Sequence, residues 1–183
     1  MMYELPTSLD VGGRPYAIRS DYRAVLDICT ALSDPDLDDQ EKSYVAMGIL
    51  YPDFEEMPSV HYQEALNKCF WFINCGSEEK NTQKAPKLVD WEQDFQYIVA
   101  PINRVVGAEI RAVEYLHWWS FISAYYEIGD CTFAQIVRIR DKKARGKKLD
   151  KSEQEWYKNN RHLVDMKQSL SEAEKEILKE WGV

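Results

Sequence analysis

From Asp90 onward, apolar residues recur at helical steps and each run opens on a residue able to cap a helix. Trp91, Phe95, Ile98, Ile102 and Val105 step by four and three, which lines them along one face of a helix and across both faces of a strand. Asp90 and Gln93 form a capping-box-like pair at the start of that run. Thr132 with Gln135, Asp150 with Glu153, and Ser171 with Glu174 repeat the pattern. In each, an oxygen at the first position can accept an orphan backbone N–H while the third residue on reaches back. Pro101 lies off the stripe and lacks an N–H, so it is expected to kink or divide the helix. Trp156, Leu163, Leu170 and Ile177 fall every seventh position, but the Ser171 cap predicts two short helices parted near Leu170.

The first half reads in the same way. Ser20 or Asp21 can cap a helix carrying Tyr22, Val25, Leu26, Cys29 and Leu32 on one face. "SDPDLDD" breaks it, Asp38 or Asp39 starts a second helix through about Leu50, and Ser59 opens a third that ends at Gly76. Only the start differs: "YELPTSLDVGGRPYAI" alternates short apolar runs with Pro and Gly-Gly, the pattern of a hairpin with a tight turn. The expected fold is mainly α, a bundle of roughly six to eight helices with a short N-terminal β-hairpin. A single domain over 1–183 is expected, with the hairpin at 1–18, a first helical part at 19–76, a polar loop at 77–89 and a second helical part at 90–183. A chain of 183 residues buries roughly two-thirds of its unfolded surface and needs no disulfide staples.

Charge and cysteine usage narrow the function classes. The net charge of −8 argues against general nucleic-acid affinity, which needs clustered Lys and Arg. Cys29, Cys69, Cys75 and Cys131 form no CxxC pair, so buried reduced thiols are expected and a structural zinc site is not. The opening residues lack a basic segment followed by an apolar one, and no run approaches about 18 uninterrupted apolar residues. The expectation is a soluble cytosolic protein without a membrane partner.

"YLHWWSFISAYYEIGD", Tyr115 to Asp130, is the densest aromatic stretch. On a helix its rings cover about half the circumference, leaving Ser120, Ser123, Ala124 and Glu127 opposite, which predicts the wall of a core more than a ligand box. His117 falls at the edge between the faces, where a hydrogen-bonded packing role is expected. Asp90, Glu92 and Asp94 alternate like a solvated face. No P-loop, GxGxxG, HExxH or GxSxG motif occurs. Catalytic, metal and cofactor residues are therefore not expected, and neither is an enzyme. The one charge anomaly is "RIRDKKARGKK", Arg138 to Lys148, with seven basic residues against one acid, so it carries +6 and the remainder −14. Two uses are open to it: a solvated loop at a helix end, or electrostatic docking, either to nucleic acid or to the acidic surface of a partner or of a second copy, with few interleaved aromatics favouring the acidic protein surface. Its docking residues would be Arg138, Arg140, Lys142, Lys143 and Arg145. Reversing the first four to Glu is expected to weaken partner capture without unfolding the chain.

Two stretches resemble a known family. "VGGRPYAIRSDYR" is similar to an N-terminal theme, roughly Gly-Lys-x-Tyr-x-Ile-x-Thr-Asp-Phe-Arg. "LHWWSF…YYEIGDCTFAQIVRIRDKKARGKKLDKSEQEWY" is similar to the central core of the same small bacteriophage tail-region proteins. These are encoded by siphophages and prophages of Gram-positive bacteria, close to the tape-measure gene. The resemblance implies a role in tail assembly, most simply as a chaperone acting on the long helical tape-measure protein in the host bacterial cytoplasm. A structural minor tail component retained in the virion tail is the alternative, and an uncharacterised enzyme the third. It further implies that Tyr16, Asp21 and Arg23 are framework residues joining hairpin to first helix. His117, Trp118 and Trp119 would be the family core.

Overall fold

The computed structural model describes residues 4–77 and 86–167. Two strands, β1 (Ser8–Val11) and β2 (Arg14–Ala17), precede the helices. The described helices are α1 (Tyr22–Leu32), α2 (Asp39–Leu50), α3 (Tyr62–Ile73), α4 (Trp91–Val106), α5 (Trp118–Tyr126), α6 (Thr132–Ala144), α7 (Lys151–Asn159) and α8 (Arg161–Val164). Short 3-10 turns at Phe54–Glu56 and Ser59–His61 lie between α2 and α3. The fold is mainly α with a two-stranded antiparallel hairpin, as the periodicity and caps predict. The chain divides into two compact units. The first takes in residues 4–77 and 115–120, the second 86–114 and 121–167, with the boundary inside α5.

In the first unit, Leu9 pairs with Tyr16 and Val11 with Arg14. Leu9 and Val11 are buried while Ser8 and Asp10 are exposed, the two-residue alternation of a strand with one face on a core. Gly12 and Gly13 have φ of +58° and +74°, the left-handed pair that a two-residue hairpin turn requires. β1 and α2 both pack on α3, and α1 packs on α2. Tyr22, Val25 and Ile28 give α1 its buried face. Each fully buried aliphatic or aromatic side chain contributes about 1.5–3 kcal/mol relative to exposure.

The helix starts follow their caps. Asp21 caps α1 by accepting from Arg23 N, and Asp38 forms a complete capping box with Glu41 at α2. Asp150 and Glu153 do the same at α7. At α6 the expected Thr132 box does not form. Cys131 adopts the extended backbone of a cap and its sulfur accepts from Ala134 N at 3.4 Å, so Thr132 is already the first helical residue. Ser59 opens a 3-10 turn without a side-chain cap, and α3 proper begins at Tyr62.

Pro101 neither divides nor ends α4, which runs unbroken from Trp91 to Val106. Pro101 is buried together with Ile98 and Ile102, so its ring adds apolar contact that offsets the missing backbone bond. The seam through Trp156 and Leu163 breaks at Asn160, earlier than expected, where the Asn160 side chain donates to Trp156 O at 2.8 Å. Leu170, Ser171, Glu174 and Ile177 lie outside the described residues, as does most of the polar loop, 78–85. The α3 terminus closes by Gly76 N donating to Trp71 O at 2.9 Å and Cys75 N to Phe72 O at 3.1 Å. The left-handed position of that closure is held by Cys75, φ +52°, where glycine is the usual occupant.

Candidate functional site

The segment Tyr115–His117 is extended rather than helical. His117 forms a bridge with Asp21, Tyr22 N donates to Leu116 O at 2.9 Å, and Trp118 N donates to Ser20 O at 2.8 Å. A helix beginning at Tyr115 would have consumed those groups internally, so the aromatic wall is shorter than its composition implies. Tyr115 and Tyr126 are exposed, while Trp118 and Phe121 are buried.

The adjacent tryptophans have a specific use. Trp118 Nε1 donates to Ile73 O at 2.8 Å, and Trp119 Nε1 donates to Phe72 O at 2.9 Å. Those carbonyls belong to the last turn of α3, where helix carbonyls run out of intrahelical partners; Phe72 O also accepts from Cys75 N at 3.1 Å. Two consecutive indoles thus meet two consecutive carbonyls. Their rings lie against the same helix, with Trp119 stacked on Phe72 at 6.0 Å and edge-on to Trp71 at 5.5 Å.

His117 is 3% exposed. Its Nδ1 accepts from Trp119 N at 3.0 Å, which fixes the neutral tautomer with Nε2–H donating to Pro6 O at 3.0 Å. Both ring nitrogens are therefore engaged with backbone groups. Asp21 spans the same joint, since one oxygen caps α1 and the other accepts from Leu116 N at 2.9 Å. Arg23 pairs with Asp21 at 3.1 Å and lies 4.6 Å over the Tyr22 ring. Asp21, Arg23, His117, Trp118 and Trp119 are thus one connected cluster. Tyr16 stands apart from it, edge-on to Tyr51 at 6.4 Å.

Of the basic run only Arg140 is buried; Lys142 is half-buried and Arg138, Lys143, Arg145, Lys147 and Lys148 are exposed. Arg140, 6% exposed, is held bidentately by the fully buried Asp94, Nη1 to Oδ2 at 2.5 Å and Nη2 to Oδ1 at 3.0 Å. Its remaining donors reach the carbonyls of Val164 (2.7 Å), Leu88 (3.0 Å) and Leu163 (3.0 Å). Asp94 accepts in addition from Asp90 N at 2.9 Å. Asp94 is accordingly no part of a solvated face. It lies four residues before Ile98, on the buried side of α4.

The other four residues expected to dock a partner are also paired within the chain. Arg138 bonds Asp130 at 3.2 Å, Lys142 bonds Glu153 at 2.5 Å, and Arg145 bonds Asp141 at 2.6 Å. Lys143 donates to Tyr157 Oη and to Asp165 (2.6 Å), and Tyr157 in turn donates to Asp165 at 2.8 Å. Desolvation opposes both charges there. The hydrogen bonds outweigh it, so the Asp165 carboxyl is held below its ordinary range and the Lys143 ammonium above its own. Reversal of Arg140 would set a carboxylate against Asp94, so the fourfold reversal would unfold the unit rather than report on docking. Lys147 and Lys148 are exposed, and among the described residues neither pairs with a carboxylate.

The opposite charge gathers at 34–64, where nine carboxylates face a single cation, Lys42, for a local charge of −8. Composition totals concealed this concentration. Within it Tyr44 is 55% exposed and Val60 80% exposed. The Tyr44 ring lies edge-on to Phe54 at 4.8 Å and to Tyr62 at 6.3 Å, and Phe54 contacts Tyr62 at 5.0 Å.

In the second unit an open cleft of about 630 Å³ is lined by Cys131, Thr132 and Gln135 of the α6 start and by Trp156, Asn159 and Asn160. Its groups are amides, hydroxyls, the Cys131 thiol and the Glu155 carboxylate around one indole. Burial pushes the thiols of Cys29 and Cys75 up to about 11 and that of Cys69 to about 12, so these stay protonated and poorly nucleophilic at neutral pH. Among the described residues no His, Cys, Asp and Glu group has the arrangement to hold a metal ion, and no helix is long and apolar enough to cross a membrane.

These features define a small, mainly helical protein with one unit locked by paired indoles and the other by a buried arginine. The family model described as Bacteriophage Gp15 protein matches residues 1–166, and the chain belongs to that family. It is a bacteriophage protein. Comparison with curated proteins and with solved structures gives no match.

Proposed function

We propose that this bacteriophage protein acts in tail morphogenesis as a non-catalytic tail-assembly chaperone for the tape-measure protein. Its place would be the cytoplasm of a Gram-positive host, serving a siphophage or prophage. The observation that supports this best is the exposure of Tyr44 and Val60 within a region of −8 charge. A long helical client exposes apolar faces before assembly. Its escort needs apolar surface to cover them and like charge around that surface to keep itself soluble when free.

Co-expression with the tape-measure protein of the same phage tests the proposal. The client is expected in the soluble fraction with the protein and in inclusion bodies without it. Mass spectrometry of purified virions is the second readout. A chaperone is absent from finished particles, whereas stoichiometric retention would replace this function with that of a structural minor tail component.

A further inference from the structure

We propose that the surface made by Tyr44 and Gly48 of α2, the Phe54–Glu56 turn and Val60–Tyr62 is a docking site for a cationic amphipathic helix of a partner protein. The inference rests on the chaperone function only in taking the partner to be helical.

Three observations converge on this surface. The first is a preformed aromatic ledge: Tyr44 is exposed, yet its ring is braced by Phe54 and Tyr62. Rigid aromatic contact area costs little ordering entropy on binding. The second is Gly48, which lies one turn beyond Tyr44 and is also exposed. A glycine inside a helix weakens it, and the fold does not need this one. Its backbone is helical, and an added Cβ would meet only Phe54 Cδ1 at an ordinary 3.7 Å. The notch it leaves beside Tyr44 admits a ridge of side chains from a second helix. The third is charge. Glu41, Asp53, Glu55 and Glu56 are exposed along the ledge, so a partner whose apolar stripe is flanked by Lys or Arg is favoured both in docking and in long-range encounter.

A second copy of the chain fits poorly as that partner. Its basic helix, α6, has Arg138, Arg140, Lys142, Lys143 and Arg145 each paired within its own chain. Lys147 and Lys148 are exposed beyond its end, but the apolar side of α6 (Phe133, Ile136 and Ile139) is buried in its own unit and cannot supply the stripe.

The test titrates the full-length protein with a synthetic helical peptide carrying leucines at i, i+3, i+4 and i+7 and lysines on both flanks. The same peptide with glutamates in place of the lysines is the control. Calorimetry at low salt should show binding of the cationic peptide alone. Tyr44→Ala, Gly48→Leu and the pair Glu55→Lys with Glu56→Lys should each weaken it at least tenfold while the circular dichroism spectrum is kept. Equal binding of both peptides, or unchanged affinity in all three variants, would overturn the proposal. So would sedimentation showing that Tyr44→Ala dissociates a dimer, because a second copy would then cover the surface. The same variants co-expressed with the tape-measure protein separate the two inferences. If they keep the client as soluble as the parent does, the docking site falls and the chaperone function stands. If the parent binds the peptide but leaves the client insoluble, the chaperone function falls and the site stands.

Discussion

Arg140 and Asp94 form a bidentate ion pair with both side chains almost wholly out of solvent, 5% and 0% exposed. Breaking a buried pair leaves one uncompensated charge, which costs about 3–5 kcal/mol. Arg140→Ala and Asp94→Asn are each expected to destabilise the second unit by that amount in urea titrations. Replacing both residues by apolar ones should not rescue it, because Arg140 also satisfies the carbonyls of Leu88, Leu163 and Val164. Full recovery in an Arg140→Met, Asp94→Leu double variant would show that the carbonyl contacts contribute little.

Trp118→Phe and Trp119→Phe test the indole cap on α3. Each keeps an aromatic ring but removes the N–H that reaches Ile73 or Phe72. A cost of about 1–3 kcal/mol is expected for Trp118→Phe and about 0.5–1.5 kcal/mol for Trp119→Phe, whose Phe72 carbonyl keeps Cys75 N, with faster amide exchange confined to the last turn of α3. Exchange that rises evenly through the first unit would instead mark a general packing loss.

The two hairpin glycines should respond differently to alanine. Gly13 has open space around it, so Gly13→Ala pays only for the left-handed backbone, about 1–2 kcal/mol. At Gly12 the added Cβ would also fall 2.3 Å from the His61 ring, adding about 1–3 kcal/mol of overpacking. Thermal melts of Gly12→Ala in a His61→Ala background should bring its cost down to the Gly13 value, measured against His61→Ala itself.

The Lys143–Tyr157–Asp165 network carries a pH dependence at both ends. Asp165 has a depressed pKa when folded, so its contribution is present above the ordinary carboxylate value and is lost as pH falls through the depressed one. Lys143 has a raised pKa, so its contribution is present below the ordinary lysine value and is lost as pH rises through the raised one. Carbon-detected NMR titration should place the Asp165 midpoint below 3.8, and Lys143→Met should move it up. An unmoved midpoint would exclude Lys143 as its principal partner.

Local physics was legible in the sequence and long-range pairing was not. The helix start at Asp38, the Asp150 box and the Gly12-Gly13 turn depend on neighbours within four residues, and each forms where the pattern predicts. Asp94 was misread because a carboxylate on a helix usually faces water. Only its partner on α6, 46 residues away, makes its burial tolerable. His117 and the Trp118–Trp119 pair were recognisable as a marker, yet their role depends on carbonyls 45 and 47 residues distant. Pro101, expected to kink or divide α4, leaves it undivided, its apolar surroundings being supplied by the packed fold.

The joint between Ser20–Tyr22 and Tyr115–Trp119 sets an order of events during synthesis. The ribosome releases the hairpin, α1, α2 and α3 well before the indoles that cover the α3 carbonyls. At roughly 5–20 residues per second, the 45 residues between α3 and Trp119 take roughly 2–9 s to emerge. For that interval the end of α3 and the strand-like stretch at Asp21 wait open on the nascent chain. The first unit can therefore close only once residues 86–114 of the second have also been made.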